Sequence, residues 1–137
     1  MKRVTGLGGV FFRCEDPGST MAWYQKHLGV QPDGYGGSFF EWLEKDNTEE
    51  IGITAFSTMS KKTKYFHPSR AQFMINFRVK NLKKLMEVLR AEGVQQIGKI
   101  ETFEYGSFGW ILDPNGVKIE LWEPVKGYRF KRKRTKK

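Results

Sequence analysis

Apolar and polar positions alternate with a two-residue period near the start of the chain, where Val10, Phe12 and Cys14 interleave with Gly9, Phe11 and Arg13. This is the pattern of a strand with one face against a helix. Asp16-Pro17-Gly18 ends it, and Ser19 or Thr20 is placed to cap a helix whose apolar positions Met21, Tyr24 and Leu28 fall at i, i+3 and i+7. Gly29 stands where a left-handed C-terminal residue is expected. Two stretches rich in aromatic and β-branched residues, Ser38–Leu43 and Ile51–Phe56, flank the polar run Glu44–Glu50 and read as an antiparallel pair.

After a lysine-rich connection, Ser57 to Arg70, the same order returns. Phe73, Ile75, Phe77 and Val79 alternate with Met74, Asn76 and Arg78; Asn81 caps a helix with Leu82, Leu85, Met86 and Leu89 on one face; Gly93 stops it. Strand-like stretches follow at about 96–103, 107–112 and 117–123, the last two joined by the turn Asp113-Pro114-Asn115-Gly116. Phe12-Arg13 and Phe77-Arg78 stand 65 residues apart, and Gly29-Val30-Gln31 and Gly93-Val94-Gln95 stand 64 apart. The chain is therefore expected to hold an internal repeat of strand, helix and further strands. Side by side, two such modules make a curved sheet whose free faces line a cleft, with Gly9, Phe11 and Arg13 facing Met74, Asn76 and Arg78.

The 137 residues make one ordinary domain, and eleven Phe with four Trp are enough for a core. No apolar run reaches the length of a membrane span or signal peptide, and no membrane partner is expected. One cysteine, Cys14, excludes an intramolecular disulfide framework and a cysteine-based zinc site and fits a reducing cytosol; the expected location is cytoplasmic. The net charge of +9 changes meaning once located: residues 126–137 hold eight basic and no acidic residues, leaving 16 basic against 15 acidic in residues 1–125. A terminal block of this kind reads as a solvated tail whose alternative is salt-sensitive binding to nucleic acid or an acidic partner.

The segments GLGGVFFRCEDPGSTMAWYQKHLGV, INFRVKNLKKLMEVLRAEGV and FGWILDPNGVKIELWEP resemble the vicinal oxygen chelate superfamily, which includes glyoxalase I, bleomycin-resistance proteins and extradiol dioxygenases. The resemblance covers about residues 5–125. It implies an α+β fold of two βαβββ modules pairing into an open, barrel-like sheet, with module 1 at about 5–58, a linker at about 59–70 and module 2 at about 71–125. It also implies a homodimer. Metal-dependent members take ligands from four equivalent strand positions, which fall here on Gly9, Gly52, Met74 and Glu120. Only Glu120 can ligate a hard or borderline ion, so no metal centre and no cofactor are expected. His27 in the last turn of the first helix, His67 before Pro68 and Cys14 on the helix-facing side of its strand read as ordinary capping, loop and packing residues.

By the family pattern Lys118, Glu120 and Trp122 face the cleft. Glu120 is the one candidate catalytic base, and it stands alone. Arg13 and Arg78 are placed to clamp a carboxylate or phosphate from two sides, with ion pairing to nearby Glu as the plain alternative. Phe11, Phe39, Trp42, Trp110 and Trp122 suit either core packing or a flat small molecule, with Met74 lining the cleft and Asn76 orienting the ligand. The lysine-rich connection reads as a solvated linker rather than a cationic lid. The expected function is metal-independent binding of an aromatic or anionic small molecule. Its alternative is a metal-dependent lyase, isomerase or dioxygenase of the same superfamily.

Overall fold

The computed structural model describes residues 2–46 and 49–126. Seven strands and two helices follow one another: β1 (Val4–Cys14), α1 (Pro17–Leu28), β2 (Gly37–Leu43), β3 (Ile51–Ser60), β4 (Phe73–Val79), α2 (Leu82–Ala91), β5 (Gln96–Phe103), β6 (Gly106–Leu112) and β7 (Lys118–Pro124). The strands form one open mixed sheet in the order β2-β3-β1-β4-β7-β6-β5.

The repeat expected from the sequence organises this sheet. β1 pairs in parallel with β3, and β4 pairs in parallel with β7, so each half makes the same helical crossover. The halves join along β1 and β4, which run antiparallel with Phe11 opposite Met74 and Gly9 opposite Asn76. The second half has the full βαβββ order. In the first half two strands follow the helix, and residues 30–36 carry no strand.

The two helices are held in place differently. In α2, Leu82, Leu85 and Met86 are buried and pack with Val79, Val117, Ile119 and Leu121. Asn81 caps the helix by accepting from the Lys84 backbone N–H. In α1 no residue is fully buried, and contact runs through Tyr24, whose ring meets Phe12 and Phe56 edge-on. Its cap is Asp16, which accepts from the Ser19 N–H at 3.2 Å, and not Ser19 or Thr20. Pro17 explains the shift: its fixed φ and missing N–H suit the first helical position, which places Ser19 and Thr20 inside the first turn. Gly29 closes the helix at φ 69°, as its position implies.

Leu82→Ala, at a site 1% exposed, is expected to cost about 2–5 kcal/mol, read as a lower midpoint in urea unfolding. Lys83→Ala on the exposed side of the same helix should stay within about 0.5 kcal/mol of the parent.

Candidate functional site

Strand register builds the site. Asn76 of β4 lies opposite Glu120 of β7, and Glu120 lies opposite Trp110 of β6. Paired residues on adjacent strands project to the same face, so these three side chains stand in one row across the sheet. They bond together. Glu120, 3% exposed, accepts from Asn76 Nδ2 on Oε1 at 2.7 Å and from Trp110 Nε1 on Oε2 at 2.8 Å. The Tyr65 hydroxyl also donates to Oε2. A buried carboxylate is tolerable only with such donors, and all three here are neutral.

The next row holds Arg78, Trp122 and Phe108. The Arg78 guanidinium lies 5.4 Å from the ring centroids of both Trp42 and Trp122, and its Nη2 is 3.7 Å from Glu44 Oε1. Burial draws its pKa below the usual value, with Glu44 and Glu50 opposing. Trp122 donates to the Tyr105 carbonyl, and Phe108 stacks on both Trp122 and Trp110. Lys118, buried beside Glu120 on β7, sits 5.1 Å from the Tyr65 ring and 5.6 Å from the Trp110 ring. Its ammonium donates to the Tyr65 carbonyl oxygen at 2.6 Å. Burial pulls the ammonium pKa down, and Glu120 and Glu101 oppose the shift. Each cation thus rests on aromatic faces, which compensate part of its lost hydration.

The expected two-sided arginine clamp is not formed. In the antiparallel β1/β4 ladder Arg78 lies opposite Gly6, while the Arg13 N–H reaches the carbonyl of Gln72. The strand distance from Gln72 to Arg78 is roughly 20 Å. Arg13 instead places its guanidinium 5.1 Å from the Phe66 ring centroid. Phe11 and Met74 pair on the same ladder, Met74 fully buried. Phe39 is buried as well, and Trp42 donates to Thr54 Oγ1.

The connection that reads as a solvated linker instead supplies the site's cover, through Tyr65 and Phe66. β3 runs on to Ser60, and the connection then folds back in two turns, His67 N–H to the Lys64 carbonyl and Ser69 N–H to the Phe66 carbonyl. Phe66 is 0% exposed. Tyr65 is 42% exposed, yet its hydroxyl reaches Glu120. Lys61, Lys62 and Lys64 remain outside. The signal available in the sequence is the pair of adjacent aromatics in KKTKYFHP, an apolar insertion that a purely solvated linker does not need.

Three buried atoms in this region lack a hydrogen-bond partner among the described residues: Arg13 Nε, Asn76 Oδ1 and Arg78 Nε. Asn76 Oδ1 is crowded against Gly8, where a Cβ would come within 2.1 Å of it. His27 is exposed against Trp23, His67 is an exposed loop residue, and Cys14 is half-buried. Residues 127–137, most of the basic tail, lie outside the described residues.

The four strand positions to which the resemblance carries metal ligands, Gly9, Gly52, Met74 and Glu120, do not form a donor set. A Cβ at Gly52 would lie 2.2 Å from the Trp42 ring, and one at Gly9 would lie 2.8 Å from the Phe11 ring. Those rings occupy the space that ligand side chains would need. Met74 is a buried thioether, and the Glu120 oxygens are taken by Asn76, Trp110 and Tyr65. A divalent first-row ion needs about three nitrogen or oxygen donors from the protein, and one carboxylate already engaged does not supply them. Among the described residues no three His, Cys, Asp or Glu side chains group as a metal site, and no helix is long and apolar enough to cross a membrane.

The crossover occurs once in each half of the sheet, and residues 6–121 match the model of the Glyoxalase/Bleomycin resistance protein/Dioxygenase superfamily. The chain belongs to that superfamily. The fold is similar to methylmalonyl-CoA epimerase from Mycobacterium tuberculosis, at 22% identity and TM-score 0.58, covering 89% of both chains. A variant of the Streptomyces coelicolor methylmalonyl-CoA epimerase, in complex with 2-nitronate-propionyl-CoA, is similar at 13% identity and TM-score 0.66, covering 89% of this chain and 99% of that one. A superfamily member from Vibrio splendidus 12B01 is similar at 12% identity and TM-score 0.55, covering 85% and 98%. No curated protein matches the sequence significantly.

The Tyr65 hydroxyl pKa is raised by burial, by the Glu120 charge and by their hydrogen bond. Its contribution to stability is therefore present in full below the unfolded phenol value of 10.0 and is lost as the pH climbs above it. In an absorbance titration of the five tyrosines, one phenol should stay protonated until alkaline unfolding, and Tyr65→Phe should remove that one. Ionisation of every phenol in the folded protein near the ordinary value would show that Tyr65 does not reach Glu120.

Proposed function

We propose that the chain is a metal-independent small-molecule binding protein whose ligand is an aromatic compound carrying an anionic or carbonyl oxygen. The observation that carries this reading is the state of the two buried cations around Glu120. Lys118 and Arg78 are buried against Trp42, Trp110 and Trp122, and among the described residues neither is fully bonded: Lys118 makes one hydrogen bond, to a main-chain carbonyl, and Arg78 Nε makes none. Keeping a buried donor unsatisfied costs about 1–3 kcal/mol. Packing alone does not offset that cost, whereas an oxygen acceptor with a flat apolar body satisfies the donor and uses the ring walls together.

Glu120 fits the same reading. Its three donors come from the chain itself, so it acts as the fixed acceptor of the site and does not need an ion. The binding reading does not call on Glu120 as a base, because both its oxygens already accept from Asn76, Trp110 and Tyr65. The superfamily fold hosts many chemistries, and the binding reading comes from these side chains alone.

Thermal-shift and calorimetric titrations with a panel of aromatic carboxylates test it. Binding is expected to persist in EDTA and to weaken about tenfold or more in Lys118→Met, the loss of one charge-assisted hydrogen bond. Metal analysis of protein purified without chelator that finds one tightly held transition ion per chain, lost in Glu120→Ala, would overturn the reading in favour of a metal-dependent lyase, isomerase or dioxygenase.

A further inference from the structure

We infer that the outer face of α2 binds the phosphate backbone of a nucleic acid. Charge is segregated there. Residues 1–125 carry 16 basic and 15 acidic side chains, so an even mixture would bring both signs equally to any recess. Two recesses that flank α2 are lined otherwise. One is formed by Lys2, Arg3, Lys80 and Lys84 with Asn81 and Leu85, and no acidic residue lines it. The other, between α2 and β5, brings Lys83, Arg90 and Lys99 together with the single acid Glu87. Seven cations and one anion therefore meet around one helix.

Topology gathers them. Lys2 and Arg3 precede β1 and Lys80 follows β4, and the register sets Val4 opposite Val79, so both segments lie at the same end of the sheet. β7 runs parallel to β4 and ends there too, where Glu123 accepts from the Leu82 N–H in the first turn of α2 at 2.7 Å. The basic run 126–137, with eight further cations interleaved with Tyr128 and Phe130, begins three residues later. Part of the charge is neutralised locally, since Lys2 pairs with Asp46 and Arg3 with Glu92. Lys80, Lys83, Lys84, Arg90 and Lys99 form no ion pair among the described residues. The N–H groups of Leu82 and Lys84 are already taken by Glu123 and Asn81, so the attraction resides in the side chains and not in the helix end.

The two recesses lie on opposite flanks of a helix about 10–12 Å across. A single small anion cannot serve both, whereas a chain of phosphates can, and it relieves the repulsion among the gathered cations. A lipid surface is flat and rewards apolar side chains that insert. The exposed residues of α2 are Lys83, Lys84, Glu87, Arg90 and Ala91, and its apolar side is turned into the sheet. Tyr128 and Phe130 add ring faces on which bases can stack. Ile119 and Leu121 pack beneath α2, while Glu120 between them projects from the other side of the strand. The basic face and the small-molecule cup thus lie on opposite sides of the sheet and stand or fall separately.

The test titrates the whole chain with a mixed-sequence DNA duplex and with an RNA single strand across a salt series. It compares the wild type with Lys80→Gln/Lys83→Gln/Lys84→Gln and with Lys61→Gln/Lys62→Gln/Lys64→Gln. Each variant removes three exposed charges, but the second set follows Ser60, which lies opposite Cys14 at the far end of the strands from Lys80. Wild-type affinity should fall steeply with salt. The first variant should lower the slope of log affinity against log salt on the duplex by about 2–3 and weaken binding about tenfold or more at low salt, while the second changes it little. Should the first variant not fold, each of its substitutions made alone should lower the slope by about one. Equal losses in the two variants, or no loss in the first, would overturn the assignment, because the charge would then act only as a sum or only through residues 126–137. Absence of salt-sensitive binding to either oligonucleotide would overturn it as well, and tighter binding to phosphatidylserine vesicles than to either oligonucleotide would assign the face to a membrane surface instead.

Discussion

The site hangs on one buried carboxylate. Glu120 lies near the middle of the sheet on β7, where a charge without donors would be expelled or neutralised. It is held because strand register delivers Asn76 from one neighbour and Trp110 from the other, both within ordinary hydrogen-bond distance. Those two partners fix the carboxylate's orientation, and the orientation decides where the third donor, Tyr65, must come from. The connection between the halves is thereby tied to the sheet. One group links the second crossover to the segment that joins it to the first.

The cations extend the same logic. Lys118 and Arg78 flank Glu120 on the rows to either side, and each is accommodated by ring faces rather than by a close ion pair. Aromatic faces compensate a cation without saturating its N–H groups, since the contact is with the ring and leaves the donors directed elsewhere. A site built this way keeps hydrogen-bonding capacity in an apolar enclosure. Full salt bridges at the same places would leave the site chemically closed. The exposed Arg3–Glu92 pair differs: two of its guanidinium nitrogens meet both carboxylate oxygens.

Helix α2 and its partners are legible from the sequence because a 3.6-residue period, an Asn cap and a stop glycine agree with one another. The parity of Asn76, Arg78, Lys118, Glu120 and Trp122 is legible for a similar reason, because alternation along a strand is set by the backbone. Tyr65 and Phe66 are not, because loops have no period from which to read an inward direction. The relation between Arg13 and Arg78 also escapes a linear reading. They occupy equivalent places in the repeat, but the antiparallel meeting of β1 and β4 sends equivalent places to opposite ends of the ladder.

The sequence by itself determined the alternation along the strands and the amphipathic face of α2, and its resemblance to a known superfamily pointed to the class of fold. The alternation and the helix face follow from residue type and local period, which act over a few neighbours along the chain. Only the tertiary structure decided that Glu120 is shared by Asn76, Trp110 and Tyr65, that the arginines stand apart, and that Tyr65 and Phe66 of the connection reach the sheet while its lysines stay outside. Those outcomes depend on register between strands distant in sequence and on where a buried charge finds its donors, and neither is encoded in any single segment.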